Sequence, residues 1–321
     1  MCFREVIMTM ARQDIGDICF KRVLMVSPFL VLLIVAGILL ELITASWDSI
    51  LKFGFSFLHT STWDPVVEQF GAFPFIFGTL VTSLVALLIA IPIGLGTAIY
   101  LAEYAPRGIY RTVATMIDLL AAIPSVIYGL WGIFVLVPLM RSHIQPFLGK
   151  YFGFLPFFQG PNYGIGLLAA SVILAVMIIP FITAVAREVI AAVPPVYKEA
   201  AYAMGATRWE AIKTIILSYG KPGIIGGIIL ALGRAIGETM AVTMVIGNNV
   251  KISASLFSSG YTLASVIANE FAEAATKLYT SSLMEISLVL LLVSMVVNVL
   301  ARVLIWSVTE KASPQAALKG L

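Results

Sequence analysis

The chain has 321 residues, of which 60% are hydrophobic and only 12% are charged. Because a soluble domain carries about 25% charged residues, this composition excludes a soluble protein and indicates a polytopic membrane protein. The net charge of +3 does not indicate nucleic-acid binding, since most Lys and Arg residues lie between hydrophobic segments, where they act as topology signals.

Residues 1–22 are predicted to form a cytoplasmic N-terminal tail. Its Cys2 and Cys19 are the chain's two cysteines, and two thiols in such a tail indicate reduced side chains rather than a disulfide framework. The apolar run 23–45 exceeds the roughly 7–15 residues of a signal-peptide core and is long enough to cross about 30 Å of hydrocarbon. We therefore expect a first transmembrane helix, not a cleaved signal.

Hydropathy predicts an all-α membrane protein, because backbone groups in lipid must be hydrogen-bonded within their own segment. The six predicted transmembrane helices are 23–45, 77–102, 113–140, 164–186, 221–247 and 283–306. The last five form a permease core over 77–306, which includes a cytoplasmic loop at 187–220. The distribution of Lys and Arg places this loop, the N-terminus and the C-terminal tail 307–321 in the cytoplasm.

One loop and three acidic residues each allow more than one interpretation. The aromatic loop 141–163 is either an interfacial belt or a surface that receives an external partner. Asp118, inside the predicted third span, either lines a path or pairs with a cation of a neighbouring subunit. Glu41 and Glu285 lie near the outer ends of their spans, where we expect them to be solvated.

The loop 187–220 predicts a helix-turn-helix at the membrane surface. Pro194 and Pro195 break the chain, helix formers run over 196–204, Gly205 permits a bend, and 206–217 resumes a helix. Small side chains on its first helix allow another protein to approach closely. From the pattern alone, the segment either docks a partner or merely links two spans.

Particular residues of this loop resemble the EAA loop of ABC importer permeases, which docks into a cytoplasmic ATPase. The matching residues are Glu199, Ala200, Ala201, Gly205, Ile215 and Leu217, whereas Ser218 stands where the family usually has proline. The segments 122–131 (AIPSVIYGLW) and 233–242 (GRAIGETMAV) are similar to the phosphate importer of the Pst type, and to its C-type permease in particular.

This resemblance implies an ABC type I importer permease fold (MetI-like) in the bacterial or archaeal inner membrane. It also implies a second permease subunit (PstA-type), a homodimeric cytoplasmic ATPase (PstB-type), an external phosphate-binding protein (PstS-type), surrounding membrane lipid, and phosphate as the transported ligand. The implied ATPase-coupling residues are Glu199, Ala200, Ala201, Gly205 and Arg208. The alternatives are a permease for another oxyanion or phosphonate, and a gradient-driven transporter or channel.

Arg234 and Glu238 are four residues apart in the fifth span, so we expect them to share one helix face. Arginine at the centre of a membrane helix costs about 2.5–3.5 kcal/mol on insertion scales. In one interpretation Arg234 offers its planar guanidinium to phosphate in the translocation path, with Glu238 restraining it; in the other, the two form a static pair. Thr239 and Thr243 either add hydroxyl donors or bond their own helix.

The glycine pairs Gly223/Gly227 and Gly233/Gly237 predict close helix contacts in the same span. No phosphate-binding G-x-x-x-x-G-K-[ST] motif occurs in the sequence, so we do not expect ATP hydrolysis in this chain. His59 and His143 lack metal-ligand spacing. The sequence therefore predicts a non-enzymatic subunit without a metal or cofactor, driven by a partner.

Overall fold

The computed structural model describes the backbone of residues 2–311 and the side chains of 16–17 and 20–303. The predicted tail beyond 311 and the side chains of Cys2 and Cys19 lie outside the described residues. Within the described part, every regular element is a helix, and only an isolated bridge joins Asp64 to Gln69. This confirms the all-α prediction.

The chain folds into twelve helices across residues 2–311, some of them containing π turns. They are α1 Cys2–Ala45, α2 Trp47–Phe53, α3 Ser56–His59, α4 Phe73–Ile99, α5 Arg107–Ala121, α6 Ser125–Phe152, α7 Leu167–Ala191, α8 Pro195–Ala203, α9 Arg208–Ile236, α10 Met240–Ile246, α11 Leu263–Glu270 and α12 Lys277–Lys311. A π turn at Tyr100–Tyr104 extends α4. Helices α1, α4, α6, α7, α9 and α12 are long and apolar enough to cross a membrane, which matches the predicted number of spans.

The third span lies further along the chain than predicted. Helix α5 ends at Ala121, and the crossing helix α6 begins at Ser125 and ends at Phe152, instead of spanning 113–140. Pro124 has an extended backbone, with φ −58° and ψ 139°. Proline also disfavours helical geometry at the residue before it, which explains why the helix stops here.

Helix α5 lies near the end of α7, and this overturns the expectation for Asp118. Arg187 of α7 is 3.6 Å from Asp118 (Nη2 to Oδ1), and its guanidinium is 5.9 Å from the centre of the Tyr110 ring. The Asp118 side chain is 57% exposed. It is therefore neither buried in a span nor dependent on a neighbouring subunit for its cation, because Arg187 of the same chain supplies it.

Helix α7 is the centre of the bundle. It packs most extensively against α4 and α9, and also against α5 and α10. Its side chains form the largest apolar core, in which Ile173, Leu174, Ile178 and Ile182 are at most 1% exposed. Since a helix that is apolar on all sides must be covered on all sides, the composition of α7 accounts for its central place.

Glycines bring α9 close to this central helix. A Cβ added at Gly223 or Gly227 would lie 2.7 Å from a methyl group of Val189 or Val185, respectively. This confirms the predicted close contact for Gly223/Gly227. Within this chain Gly233 makes no such contact, since a Cβ there would meet only Asn298, at 3.8 Å.

The N-terminal span is peripheral. Helix α1 runs unbroken from the predicted tail into the span and packs mainly on α12. Near this contact Glu285 is only 6% exposed, so the expectation that it is solvated is wrong, whereas Glu41 is exposed as expected. Glu285 is buried because Ser49 of α2 packs against this part of α12, with its hydroxyl 3.0 Å from that of Ser282.

The aromatic loop is partly helical and packs on a later segment. Its first residues belong to α6, and a 3₁₀ turn follows at Pro156–Phe158. The Leu256 N–H donates a 2.9 Å hydrogen bond to the Phe157 carbonyl, while Phe154 remains 76% exposed. The loop therefore combines a segment packed on residue 256 with an aromatic side chain that is left exposed.

Candidate coupling segment and translocation site

The coupling segment, residues 195–213, is a helix-turn-helix built from α8, a turn and the start of α9. Gly205 has φ +84°, a left-handed conformation that glycine adopts without steric cost. A capping box starts α9: the Glu210 N–H donates to Thr207 Oγ1 at 3.3 Å, and the Thr207 N–H donates to Glu210 Oε2 at 2.8 Å. The pattern T-x-x-E signals this helix start, and the helix begins two residues later than the predicted 206 and continues beyond 217.

The predicted coupling residues divide into an exposed set and one buried member. Ala201 is 3% exposed and packs inward, whereas the other four are exposed: Glu199, Ala200, Gly205 and Arg208. The structure adds Met204 and Trp209, which flank the turn and are 83% and 57% exposed. Large apolar side chains within a polar segment were the sequence signal for them, since exposed apolar groups mark contact surfaces.

Two contacts tie the coupling segment to the end of α4. Lys198 Nζ lies 2.5 Å from Glu103 Oε1, and the Arg208 guanidinium lies 5.0 Å from the centre of the Tyr104 ring. The Glu103 side chain is only 8% exposed. The coupling segment is therefore attached to the end of α4 at two points, and it continues directly into the rest of α9.

Arg234 and Glu238 do not share a helix face, because α9 ends at Ile236 and α10 begins at Met240. Glu238 Oε1 instead accepts a 3.3 Å hydrogen bond from the Ala241 N–H and so caps α10. None of the four ion pairs found in the described part of the chain joins Arg234 to Glu238. The predicted geometry of the pair is thus wrong, and Arg234 is left exposed on the last turn of α9.

The two threonines bond locally. Thr243 Oγ1 donates to the Thr239 carbonyl at 2.7 Å, and Thr239 Oγ1 donates to the Gly237 carbonyl at 3.3 Å. Such bonds are common for threonine in membrane helices. In this conformation, both hydroxyl hydrogens are engaged by the chain itself.

The two sequence segments with the strongest family resemblance pack against each other. A Cβ at Gly129 of α6 would lie 2.4 Å from Met244 Sδ and 3.2 Å from Ala241 Cα of α10. On the other side of the contact, Tyr128 Oη donates to the Leu120 carbonyl at 2.8 Å across the break between α5 and α6. The helices that follow the two interruptions, α6 and α10, therefore pack together, and Arg234 precedes the second interruption.

A cleft of about 500 Å³ lies at the opposite end of α4 from the coupling segment. Glu270 is fixed there by 2.6 Å hydrogen bonds from Trp63 Nε1 and Tyr279 Oη. Burial raises the pKa of the neighbouring Tyr261 to about 12, so this phenol stays neutral. The carboxylates of Glu270 and Glu273 give the cleft negative charge, which disfavours an anion.

Among the described residues, no group of three His, Cys, Asp or Glu side chains is placed to hold a metal ion.

The chain matches the protein family described as "Binding-protein-dependent transport system inner membrane component" over residues 90–309. The phosphate transport system permease protein PstC of Mesorhizobium japonicum is 45% identical over 307 residues, covering 94% of each chain. PstC of Pasteurella multocida is 49% identical over 299 residues, covering 92% of this chain and 93% of that protein. The probable PstC of Methanocaldococcus jannaschii is 39% identical over 287 residues, covering 88% and 91%.

Two solved transporters share the fold. The inward-facing MetNI methionine ABC transporter superposes with a TM-score of 0.54 at 20% identity, covering 73% of this chain and 94% of that chain. A bacterial alginate ABC transporter, in complex with an alginate pentasaccharide-bound periplasmic protein, gives 0.58 at 18% identity, covering 88% and 93%. The likeness concerns the fold alone and confirms the predicted ABC importer permease architecture.

Proposed function

Because the chain belongs to the family of binding-protein-dependent transport system inner membrane components, we propose that it is a transmembrane subunit of an ATP-driven importer of inorganic phosphate. The observation that carries this proposal is the 45% identity with a phosphate transport permease over 94% of both chains. This subunit contributes one half of the translocation path, and a second permease of the same fold contributes the other half.

Arg234 is the residue we propose to contact phosphate. Its guanidinium is exposed and free of the ion pair that would have neutralised it. A guanidinium presents paired N–H donors that match two phosphate oxygens, and it stays charged at all physiological pH values. Since Glu238 caps a helix instead of pairing with Arg234, Arg234 keeps its donors available for the passing anion.

Thr239 and Thr243 have a smaller proposed role in the path. Each hydroxyl already donates to a backbone carbonyl, so each would offer phosphate an acceptor unless it rotated. We therefore place them beside the path and assign direct recognition to Arg234 alone.

We propose that residues 195–213 contact a cytoplasmic ATPase, because apolar and polar side chains are presented together around the turn at Gly205. Met204 and Trp209 provide exposed apolar area, and Glu199 and Arg208 add directional polar contacts. ATP hydrolysis then belongs to that partner, and both termini of this subunit lie on the same, cytoplasmic side. At the opposite face, an external binding protein delivers the substrate.

The test is phosphate uptake by proteoliposomes that contain this chain, a second permease, an ATPase and a binding protein from the same genome. We expect uptake of ³²P-labelled phosphate that requires internal ATP and is not inhibited by excess sulfate. Uptake of a phosphonate or another oxyanion in preference to phosphate would assign a different substrate to the same machinery. Uptake driven by an ion gradient without ATP would overturn the proposal.

A further inference from the structure

A cleft of about 370 Å³ lies between α4 and the first half of α9. Its wall is apolar and includes Leu95 of α4 and Ile225 and Ile228 of α9. Its polar lining consists of Lys213, which is the last residue of the coupling segment, together with Ser218 and Lys221. The cleft is therefore apolar along most of its length and positively charged at one end.

The two lysines have no countercharge in the described part of the chain. Both side chains are exposed, and neither belongs to any of the four ion pairs found between residues 20 and 303. They are eight residues apart, which corresponds to about 12 Å along the helix axis. Two flexible ammonium groups at this spacing reach a single anion placed between them, and the exposed hydroxyl of Ser218 lines the same cleft.

The distribution of charge along α9 indicates that the cleft lies at the boundary between water and lipid. Towards the coupling segment α9 carries charged side chains, and beyond Lys221 it is apolar up to Arg234. Basic pockets between transmembrane helices bind acidic lipid headgroups, because the ammonium groups meet the phosphate at the depth where the acyl chains begin. We propose that this cleft binds one anionic phospholipid, with its phosphate between Lys213 and Lys221 and an acyl chain along Leu95, Ile225 and Ile228.

The chemistry of the cleft favours this ligand over simpler ones. A soluble anion does not need the apolar wall. A zwitterionic lipid such as phosphatidylcholine carries a positively charged ammonium group, which the two lysine ammonium groups repel. The site goes beyond the proposed function, since it does not depend on the transported substrate. A lipid bound there contacts Lys213 at the end of the coupling segment and the turns of α9 that follow it.

The test is native mass spectrometry of the full chain in nanodiscs of phosphatidylcholine with increasing phosphatidylglycerol. We expect phosphatidylglycerol to bind the wild-type chain in preference to phosphatidylcholine. The variant Lys213→Gln/Lys221→Gln is expected to bind it about 30-fold more weakly, since each interfacial lysine contributes roughly fivefold. The control Lys150→Gln/Lys251→Gln removes two exposed lysines elsewhere, and it should leave the affinity unchanged.

A second variant separates lipid from other anions. Ile225→Trp fills the apolar part of the cleft and keeps both lysines. We expect this variant to bind phosphatidylglycerol more weakly and to bind inorganic phosphate as the wild-type chain does. It also decides the question alone if the double lysine variant fails to fold by size-exclusion chromatography. Wild-type affinity in both variants would overturn the proposal. The proposal would also be overturned if inorganic phosphate displaced phosphatidylglycerol as effectively as the lipid itself does. The same holds if the double lysine variant no longer captures a cytoplasmic ATPase but still binds phosphatidylglycerol.

Discussion

Lys198 of the coupling segment lies 2.5 Å from the Glu103 carboxylate at the end of α4, across 95 residues of sequence. The carboxylate is 8% exposed and the ammonium 22% exposed. An ion pair in this environment fixes geometry more effectively than a surface pair, since removing one partner leaves the other charge poorly solvated. The coupling segment is thus held to the bundle at a defined point.

We expect Glu103→Gln to loosen this attachment. The variant should lose about 1–3 kcal/mol of stability, because Lys198 retains its charge without a partner. Phosphate uptake should fall further than the amount of assembled complex. The measurement is a double-mutant cycle with Lys198→Met, scored by thermal unfolding in detergent and by uptake. Strictly additive effects of the two changes would show that the ion pair does not couple the elements.

Arg234→Gln is expected to reduce phosphate uptake by at least about 10-fold, since a charge-assisted hydrogen bond contributes roughly 1.5–3 kcal/mol. Assembly should remain intact, because the side chain is exposed and makes no ion pair in the described structure. Arg302→Gln makes the same chemical change at another exposed position and serves as the control. Normal uptake by Arg234→Gln in a complex of normal abundance would remove Arg234 from the path.

Gly78→Ala and Gly96→Ala provide a matched pair on α4. A Cβ at Gly78 would lie 2.0 Å from the Tyr261 carbonyl oxygen, a backbone atom, whereas a Cβ at Gly96 meets nothing within 4 Å. We expect the first variant to lose about 3 kcal/mol or more and the second to be unchanged or slightly more stable. Thermal unfolding in detergent compares them. Equal midpoints would contradict the close approach of α4 to the backbone of Tyr261.

Gly205→Ala tests the turn of the coupling segment. No atom lies within 4 Å of the added Cβ, so the effect comes from the backbone alone and should amount to about 1–2 kcal/mol at φ +84°. We expect weaker capture of the ATPase and slower uptake, with Gly205→Asn less affected because asparagine tolerates this conformation. Gly108→Ala, at an open position of α5, is the control. Undiminished ATPase capture by Gly205→Ala would indicate that the turn is not part of the contact.

Hydropathy predicted the number of membrane helices because an apolar run of 20 residues is a strong local signal. It did not locate the interruptions at Pro124 and Gly237, because an interrupted segment in a membrane bundle has the same average composition as a continuous one. Pro124 was nonetheless a readable signal. The expectation that Arg234 and Glu238 share a face failed at the second interruption, since helix periodicity applies only while the helix continues.

Contacts between segments that are distant in sequence could not be predicted either. No local pattern indicated that the segments 122–131 and 233–242 pack together, because they are separated by about a hundred residues. The burial of Glu285 depends on Ser49, more than two hundred residues away. The helix-turn-helix of the coupling segment was easier to predict, because the helix-forming residues and the glycine between them lie within one short stretch of sequence.

Helix α9 makes its close contact with α7 at two glycines partway along its length, where Gly223 meets Val189 and Gly227 meets Val185. We expect any tilt of α9 to occur about this contact. From Gly223, the helix extends about 22 Å to Arg208 and about 16 Å to Arg234 at 1.5 Å per residue. If α9 tilts as one body about this contact, a displacement of Arg208 moves Arg234 in the opposite direction and about three quarters as far. The position of the two glycines along α9 therefore sets the ratio between the displacements of its two ends.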